Sequence, residues 1–185
     1  MDIRGEYQIG ATREQVWAAL NDPEVLRRCI PGCESLEMTG ETDMQAKVMA
    51  AIGPVRARFN TTLKLENVNP PQSYTLSGES KAGAAGFGRG AADVNLTEQD
   101  GGTLLSYTAD FKVGGKLAQV GSRLVVGATR KIADDFFSKF SLELDPKAQR
   151  LDEDIEVAAS GISRNTWLAL AGGVLVLLIW WFLLR

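Results

Sequence analysis

Residues 55–66, VRARFNTTLKLE, alternate between two kinds of side chain, and this alternation decides the fold class. Every second residue from Val55 to Leu65 is apolar or a threonine, and the residues between them are charged or polar. A period of two is typical of a β-strand that buries one face and exposes the other to water. The stretch therefore predicts a long strand in an antiparallel sheet.

The same period appears on both sides of this stretch. Residues 44–52 alternate in the same way, and so do the inward residues of a later strand that runs from Leu105 to Val113. The N-terminal residues Ile3, Tyr7 and Ile9 predict a first strand. Turn-forming pairs and triplets separate these segments: Gly53-Pro54, Asn69-Pro70-Pro71 and Gly101-Gly102. The pattern indicates an antiparallel meander of about six strands after the first one.

Helical signals flank the meander. Thr12 with Gln15 three residues later forms a capping box that opens a short helix, and Pro23 starts a second one that runs to about Cys29. After Gly114-Gly115 the apolar period changes to 3.6, which predicts a long closing helix. Its apolar stripe consists of Val120, Leu124, Ala128, Ile132, Phe136 and Phe140. We expect an α+β domain in which a curved antiparallel sheet wraps around this helix.

A second kind of segment ends the chain. Residues 167–184, WLALAGGVLVLLIWWFLL, are 18 apolar residues without a charge. As a helix they would extend about 27 Å at about 1.5 Å per residue, close to the thickness of a bilayer's hydrocarbon core. We therefore predict a C-terminal transmembrane anchor over residues 164–185 and an acidic, flexible linker over residues 145–163, which leaves residues 1–144 for one globular domain.

The N-terminal residues MDIRGEYQIG contain no apolar stretch of the kind found in a secretory signal peptide. We expect a single-pass protein of the cytoplasmic membrane with its domain in the cytoplasm.

Composition excludes several functions. The chain contains no histidine, which removes the commonest general base and metal ligand. Its formal net charge of -3 argues against a nucleic-acid partner. Cys29 and Cys33 are too few for a structural zinc site and are predicted to be reduced structural thiols, although a redox or ligand-contact role stays open. The residues predict neither a metal site nor a catalytic site.

Residues 82–92, AGAAGFGRGAA, contain four glycines and five alanines, so that Phe87 and Arg89 are their only large side chains. Such a segment leaves volume between a sheet and a helix that a ligand could occupy. An alternative is that the small residues allow close backbone approach or form a hairpin tip.

Three separated motifs give the domain a family resemblance. Residues 22–37 (DPEVLRRCIPGCESLE), 86–94 (GFGRGAADV) and 113–124 (VGGKLAQVGSRL) resemble, in order and spacing, the CoxG family, named for the G-subunit of carbon monoxide dehydrogenase. The likeness covers nearly all of residues 1–144. That family belongs to the START-like (SRPBCC) helix-grip superfamily, which agrees with the predicted element order.

The resemblance implies association with a molybdenum-containing hydroxylase, usually carbon monoxide dehydrogenase, which must pass electrons to a membrane chain. It implies a tethered, non-catalytic adaptor and a fold that binds lipids or other apolar ligands. We expect the cavity to accept a quinone or a lipid, with no covalently bound cofactor. Two alternatives stay open: a scaffold or assembly factor without a ligand, and, more weakly, a cyclase- or hydrolase-like enzyme.

The candidate cavity residues are apolar or aromatic side chains on the inward faces, supplemented by possible hydrogen-bond donors to a quinone head group. The apolar and aromatic set is Trp17, Phe59, Tyr74, Phe87, Tyr107, Phe111, Leu117, Val120 and Leu124. The donors are Arg89 and the tyrosine hydroxyls. An enzyme would have to use carboxylates such as Glu6, Asp93 and Asp110, or the phenols, as its acid and base.

Overall fold

A computed structural model describes residues 1–145. The order of elements matches the prediction: one strand, two short helices, six strands and a C-terminal helix. The elements are β1 (Asp2–Ile9), α1 (Arg13–Leu20), α2 (Pro23–Cys29), β2 (Cys33–Met38), β3 (Asp43–Ile52), β4 (Val55–Asn69), β5 (Ser73–Lys81), a 3-10 turn (Gly83–Ala85), β6 (Phe87–Gln99), β7 (Gly102–Gly114), α3 (Lys116–Gln119) and α4 (Ser122–Leu144).

All seven strands form one antiparallel sheet in the order β1-β7-β6-β5-β4-β3-β2. The alternation in β4 is the one that the sequence predicts, because Phe59 and Leu65 are buried while Arg58 and Lys64 are exposed. Because β1 pairs with β7, the first and last strands of the domain are neighbours. The face of the sheet toward α4 is the inner face, and the opposite, outer face is polar.

The two short helices begin where the sequence places them. The Thr12 hydroxyl accepts the Gln15 amide at 3.3 Å and the Gln15 side chain accepts the Thr12 amide at 2.9 Å, which completes the predicted capping box. The Asp22 carboxylate caps α2 by accepting the Glu24 amide at 2.8 Å. Both helices bury apolar residues in the main core.

The closing helix differs from the prediction at its start. Gly121 has φ of 94°, a left-handed conformation that ends α3 and separates it from α4. This break rotates the beginning of α4, so that Val125 is buried whereas Leu124, predicted on the buried stripe, is 56% exposed. Phe140, near the other end of the stripe, is fully buried as predicted.

Two hydrophobic clusters form the interior. The main one joins α1, α2 and the C-terminal half of α4 to the sheet, and Ile9, Leu105 and Phe140 are its most deeply buried members. A smaller cluster forms around Phe59 and Leu117, where α3 covers the ends of β4 and β7. Cys29 and Cys33 are both free thiols, and Cys29 is buried in the main cluster.

Within residues 1–145 no helix is both long and apolar enough to cross a membrane. The predicted anchor over residues 164–185 and all of the predicted linker except Asp145 lie outside the residues that the structure describes. Asp145 is the C-cap residue of α4.

Thr103 provides a test of how β7 is joined to the chain segment before α1. Its side chain is fully buried and its hydroxyl donates a 2.8 Å hydrogen bond to the Ala11 carbonyl. We expect Thr103→Val to lower the free energy of unfolding by about 1–3 kcal/mol, because the buried carbonyl loses its partner. Urea unfolding followed by circular dichroism measures this. The exposed Thr108→Val on the same strand is the control, and equal losses in both variants would contradict the assignment.

Candidate functional site

A cavity of about 350 Å³ lies between the inner face of the sheet and α4. Apolar side chains of all seven described strands, of α1 and α2, of the segment after α2 and of the middle of α4 form nearly all of its wall. Its lining consists of Ile3, Leu20, Leu26, Ile30, Pro31, Leu36, Met44, Leu63, Leu65, Tyr74, Leu76, Ala92, Val94, Leu105, Tyr107, Ala109, Thr129, Ile132, Ala133, Phe136 and Phe137. The volume is in the range of small-molecule sites.

The register of the sheet explains why this space is not filled. Ala92 lies directly opposite Ala109 in the β6/β7 pair, and the row continues to Leu76 on β5 and Ile3 on β1. The centre of the row therefore carries two methyl groups where its flanks carry larger aliphatic side chains. Ala133 faces the cavity from α4. Small residues on opposing elements leave the hollow.

The glycines of the small-residue segment have a different role, which is the alternative that the sequence left open. A Cβ at Gly90 would overlap the Asp110 carbonyl oxygen and lie 2.7 Å from the Phe111 Cβ, and a Cβ at Gly86 would overlap the Gly114 carbonyl oxygen. Both positions need glycine because the backbone of β7 approaches them closely. Of residues 82–92, Ala92 is the member that lines the cavity.

The lining has three hydroxyl groups. The Thr129 hydroxyl donates to the Val125 carbonyl one helical turn earlier, at 2.9 Å. Tyr74 is 8% exposed and packs edge-to-face on Trp17 with ring centroids 5.6 Å apart. Its hydroxyl makes no hydrogen bond to any residue in the described part of the chain, so it is available to form one with a polar atom of a bound molecule.

Tyr107 belongs to an aromatic group that joins α4 to the sheet. Its ring is stacked with that of Tyr7 at 6.3 Å, and the Tyr7 ring is stacked with Phe137 at 4.1 Å. The Tyr7 hydroxyl donates a 2.7 Å hydrogen bond to the Asp134 carboxylate. Gly5 permits this arrangement, because a Cβ there would lie 2.7 Å from the Tyr107 ring. The group holds one wall of the cavity in place.

Comparison with known proteins agrees with this architecture. The family model for the G-subunit of carbon monoxide dehydrogenase (CoxG) matches residues 5–145. The chain belongs to the CoxG family. This membership supports a role in association with carbon monoxide dehydrogenase. No curated protein sequence matches the chain.

Solved structures similar to this CoxG family member show the same fold. A conserved protein from Geobacillus kaustophilus is 33% identical with a TM-score of 0.73, over 78% of this chain and 95% of that protein. TTHA0849 from Thermus thermophilus is 17% identical with a TM-score of 0.60, over 78% and 97% of the two chains. The Zhui aromatase/cyclase from Streptomyces sp. R1128 is 13% identical with a TM-score of 0.59, over 81% and 94%. In this chain Met1–Asp145 form a unit with two hydrophobic clusters of their own, so we expect residues 1–145 to fold as a domain.

The structure brings two of the ten predicted site residues, Tyr74 and Tyr107, to the cavity wall. Trp17 lies behind Tyr74, outside the lining. Phe59 and Leu117 form the second hydrophobic cluster, and Phe111 lies on the inner face beside Gly90.

The other four predicted residues lie at the surface or toward the end of the sheet where α4 begins. Val120 and Leu124 lie against the turn between β3 and β4. Phe87 and Arg89 are on the outer face, because their odd positions on β6 point away from Ala92. Lining residues outside the predicted set include Ala92, Ala109 and Ala133. Ala92 belongs to the small-residue segment and Ala109 to the inward face predicted for residues 105–113, but that they lie opposite each other depends on the register of paired strands.

Burial raises the pKa of all three tyrosines in the chain, and desolvation is the largest cause for each. The Tyr7 pKa is raised further by its hydrogen bond to Asp134. Desolvation also raises the pKa values of the Cys29 and Cys33 thiols.

The described residues contain no group of histidine, cysteine or acidic side chains that could hold a metal ion. The site is therefore suited to holding an apolar molecule with few polar atoms.

The raised tyrosine pKa values predict a loss of stability at alkaline pH. A tyrosine in the unfolded chain ionises near pH 10, whereas in the folded domain its proton is retained to higher pH. The unfolded state thus binds fewer protons above pH of about 10, and the free energy of unfolding falls as pH rises.

Tyr74→Phe isolates the buried tyrosine. We expect it to flatten this decline by about 1.4 kcal/mol per pH unit above pH of about 10. Urea unfolding at a series of alkaline pH values measures the slope. An identical slope in the variant and the unmodified domain would show that Tyr74 ionises in the folded domain at the same pH as in the unfolded chain.

Proposed function

We propose that this protein is a membrane-anchored adaptor that recruits carbon monoxide dehydrogenase to the cytoplasmic membrane and binds a quinone in its cavity. CoxG family membership supports the association with the enzyme. The apolar residues 167–184 support anchoring. The cavity between the sheet and α4 is the observation that carries the ligand-binding part.

The chemistry of the cavity favours a quinone over a polar ligand. Its wall is apolar apart from three hydroxyls, and the Thr129 hydroxyl is already engaged by a backbone carbonyl. The hydroxyl of the buried Tyr74 side chain is a donor without a partner in the described residues, and a quinone carbonyl is an acceptor on an otherwise apolar molecule. One hydrogen bond at Tyr74 and apolar contacts elsewhere would match the polar and apolar groups of the cavity wall to those of the quinone.

We further propose that the protein acts by binding rather than by catalysis. The described lining contains no carboxylate, cysteine, lysine or arginine, so the candidate acid-base groups within it are phenols. Both phenols are neutral near pH 7 because tyrosine ordinarily ionises near pH 10, and burial raises the pKa values of Tyr74 and Tyr107 further. Asp134, the carboxylate nearest to this group, accepts the Tyr7 hydroxyl. The recruited enzyme would then carry out the electron transfer, and the adaptor would supply the quinone as the apolar electron acceptor.

The two faces of β6 allow a matched test of the cavity. Ala92→Leu places three additional carbon atoms in the cavity, whereas Ala91→Leu places the same atoms on the exposed outer face of the same strand. Residues 1–145 and both variants are incubated with a bacterial membrane lipid extract, repurified, and analysed for bound quinone by mass spectrometry.

We expect the unmodified domain and Ala91→Leu to retain quinone, and Ala92→Leu to retain at least about ten-fold less because the added side chain takes up ligand volume. Thermal unfolding checks that Ala92→Leu remains folded. A domain that retains no quinone but still binds carbon monoxide dehydrogenase would instead be a ligand-free scaffold. Equal retention by all three proteins would place the quinone outside this cavity.

A further inference from the structure

The end of the domain at which α4 begins has an unusual charge distribution. Three connections meet there: the β3/β4 turn at residues 52–55, the β5/β6 connection at residues 81–87, and residues 114–124 between β7 and α4. We call this surface the basic end. The strands and helices that run into it contain no acidic residue over residues 44–65, 80–92 and 111–133, although the whole chain has a net charge of -3.

The three connections contact one another closely. A Cβ at Gly115 would lie 2.7 Å from the Gly86 Cα, so the backbones of two connections touch. A Cβ at Gly53 would lie 3.0 Å from the Val120 side chain and 3.9 Å from that of Leu124. The basic end is therefore one continuous surface.

A depression of about 460 Å³ lies within this surface. Its floor consists of short side chains, among them Pro54, Ala82 and Ala85, and two cations, Arg56 and Lys116, belong to its wall. Both cations are exposed, and neither forms an ion pair with a described residue. By contrast Lys81, which lies nearby, is paired with Glu79 at 3.5 Å. Two cations without a carboxylate partner beside a depression fit an anionic group.

Exposed apolar side chains belong to the same three connections. Leu124 is 56% exposed and lies beside the β3/β4 turn that carries Pro54. Phe87 is 44% exposed at the start of β6, with its ring over Gly114. Cations next to exposed leucine and phenylalanine side chains are typical of surfaces that lie in the headgroup region of a bilayer.

We propose that the basic end docks on an anionic lipid surface, with headgroups between Arg56 and Lys116 and with Leu124 inserted beside them. This contact is additional to the membrane anchor of the proposed function and does not depend on what the cavity binds. It would turn the end of the domain at which α4 begins toward the bilayer.

The length of the chain is compatible with this orientation. The 23 residues of α4 extend about 35 Å from the basic end to Asp145. Residues 146–166, a stretch of 21 residues, precede the apolar run and can span at most about 70 Å when fully extended. An anchored chain can therefore place the basic end against the same membrane.

Vesicle co-sedimentation of residues 1–145 tests the proposal without the apolar run. The vesicles are phosphatidylcholine alone or phosphatidylcholine with phosphatidylglycerol. We expect binding to the anionic vesicles, weakened by salt, and little binding to the neutral ones. The Arg56→Gln/Lys116→Gln variant should bind about twenty-five-fold more weakly, at about five-fold for each cation removed.

Two matched controls carry the same changes elsewhere on the domain. Arg4→Gln/Lys139→Gln removes two exposed cations outside the basic end and should leave vesicle binding unchanged. Leu124→Ser should weaken binding, whereas Leu142→Ser, which alters another leucine of α4 that is 54% exposed, should not. Circular dichroism confirms that each variant is folded.

Three results would overturn the proposal. The unmodified domain could fail to bind anionic vesicles, or the control variants could lose as much binding as the test variants. The third result is that Arg56→Gln/Lys116→Gln binds vesicles normally but no longer binds carbon monoxide dehydrogenase. The basic end would then be an interface with the enzyme. Quinone retention by the same preparations is measured separately, so failure of the proposed function and failure of lipid docking are distinguishable.

Discussion

The antiparallel register between β6 and β7 is the constraint on which the cavity depends. It places Ala92 opposite Ala109 on the inner face, beneath α4. Because side chains alternate along a strand, a shift of β6 by one residue would bring Ala91 inward and expose Ala92. The flanking strands carry larger aliphatic side chains in the same row, so the hollow forms only where the two alanines meet. The width of the site is thus set by backbone hydrogen bonding and not by a specialised loop.

The helix α4 forms one wall of the cavity, and its middle, first turn and last turns have different surroundings. Its middle supplies Ala133 and the aromatic contact of Phe137 with Tyr7, which fixes the distance between helix and sheet. Its first turn carries Leu124 at the basic end, where the surrounding segments have cations and no carboxylates. Its last turns lie in the main hydrophobic cluster through Phe140. A single helix therefore connects the cavity with the surface that we propose docks on lipid.

Much of the fold follows from local patterns in the sequence. Alternation in residues 55–66, the capping box at Thr12 and the change of period after Gly115 predict the elements and their order correctly. These features depend on neighbours in the chain. The break at Gly121 was not predictable from period alone, because glycine occurs within helices and only the backbone conformation shows that it ends one.

The candidate site was less accessible to sequence reasoning. Large aromatic residues were the natural candidates for a cavity, yet a cavity exists where side chains are small, and position along a strand decides which face each one occupies. Phe87 and Ala92 lie in the same segment but on opposite faces of β6. Pairing across strands, which brings Ala92 to Ala109, is a long-range property that the local pattern does not contain. The most direct test is a crystal structure of residues 1–145 grown with decylubiquinone. We expect the quinone ring between the sheet and α4, with a carbonyl oxygen within hydrogen-bond distance of the Tyr74 hydroxyl. An interior closed by side chains, with the quinone absent or bound elsewhere, would rule out the proposed ligand site.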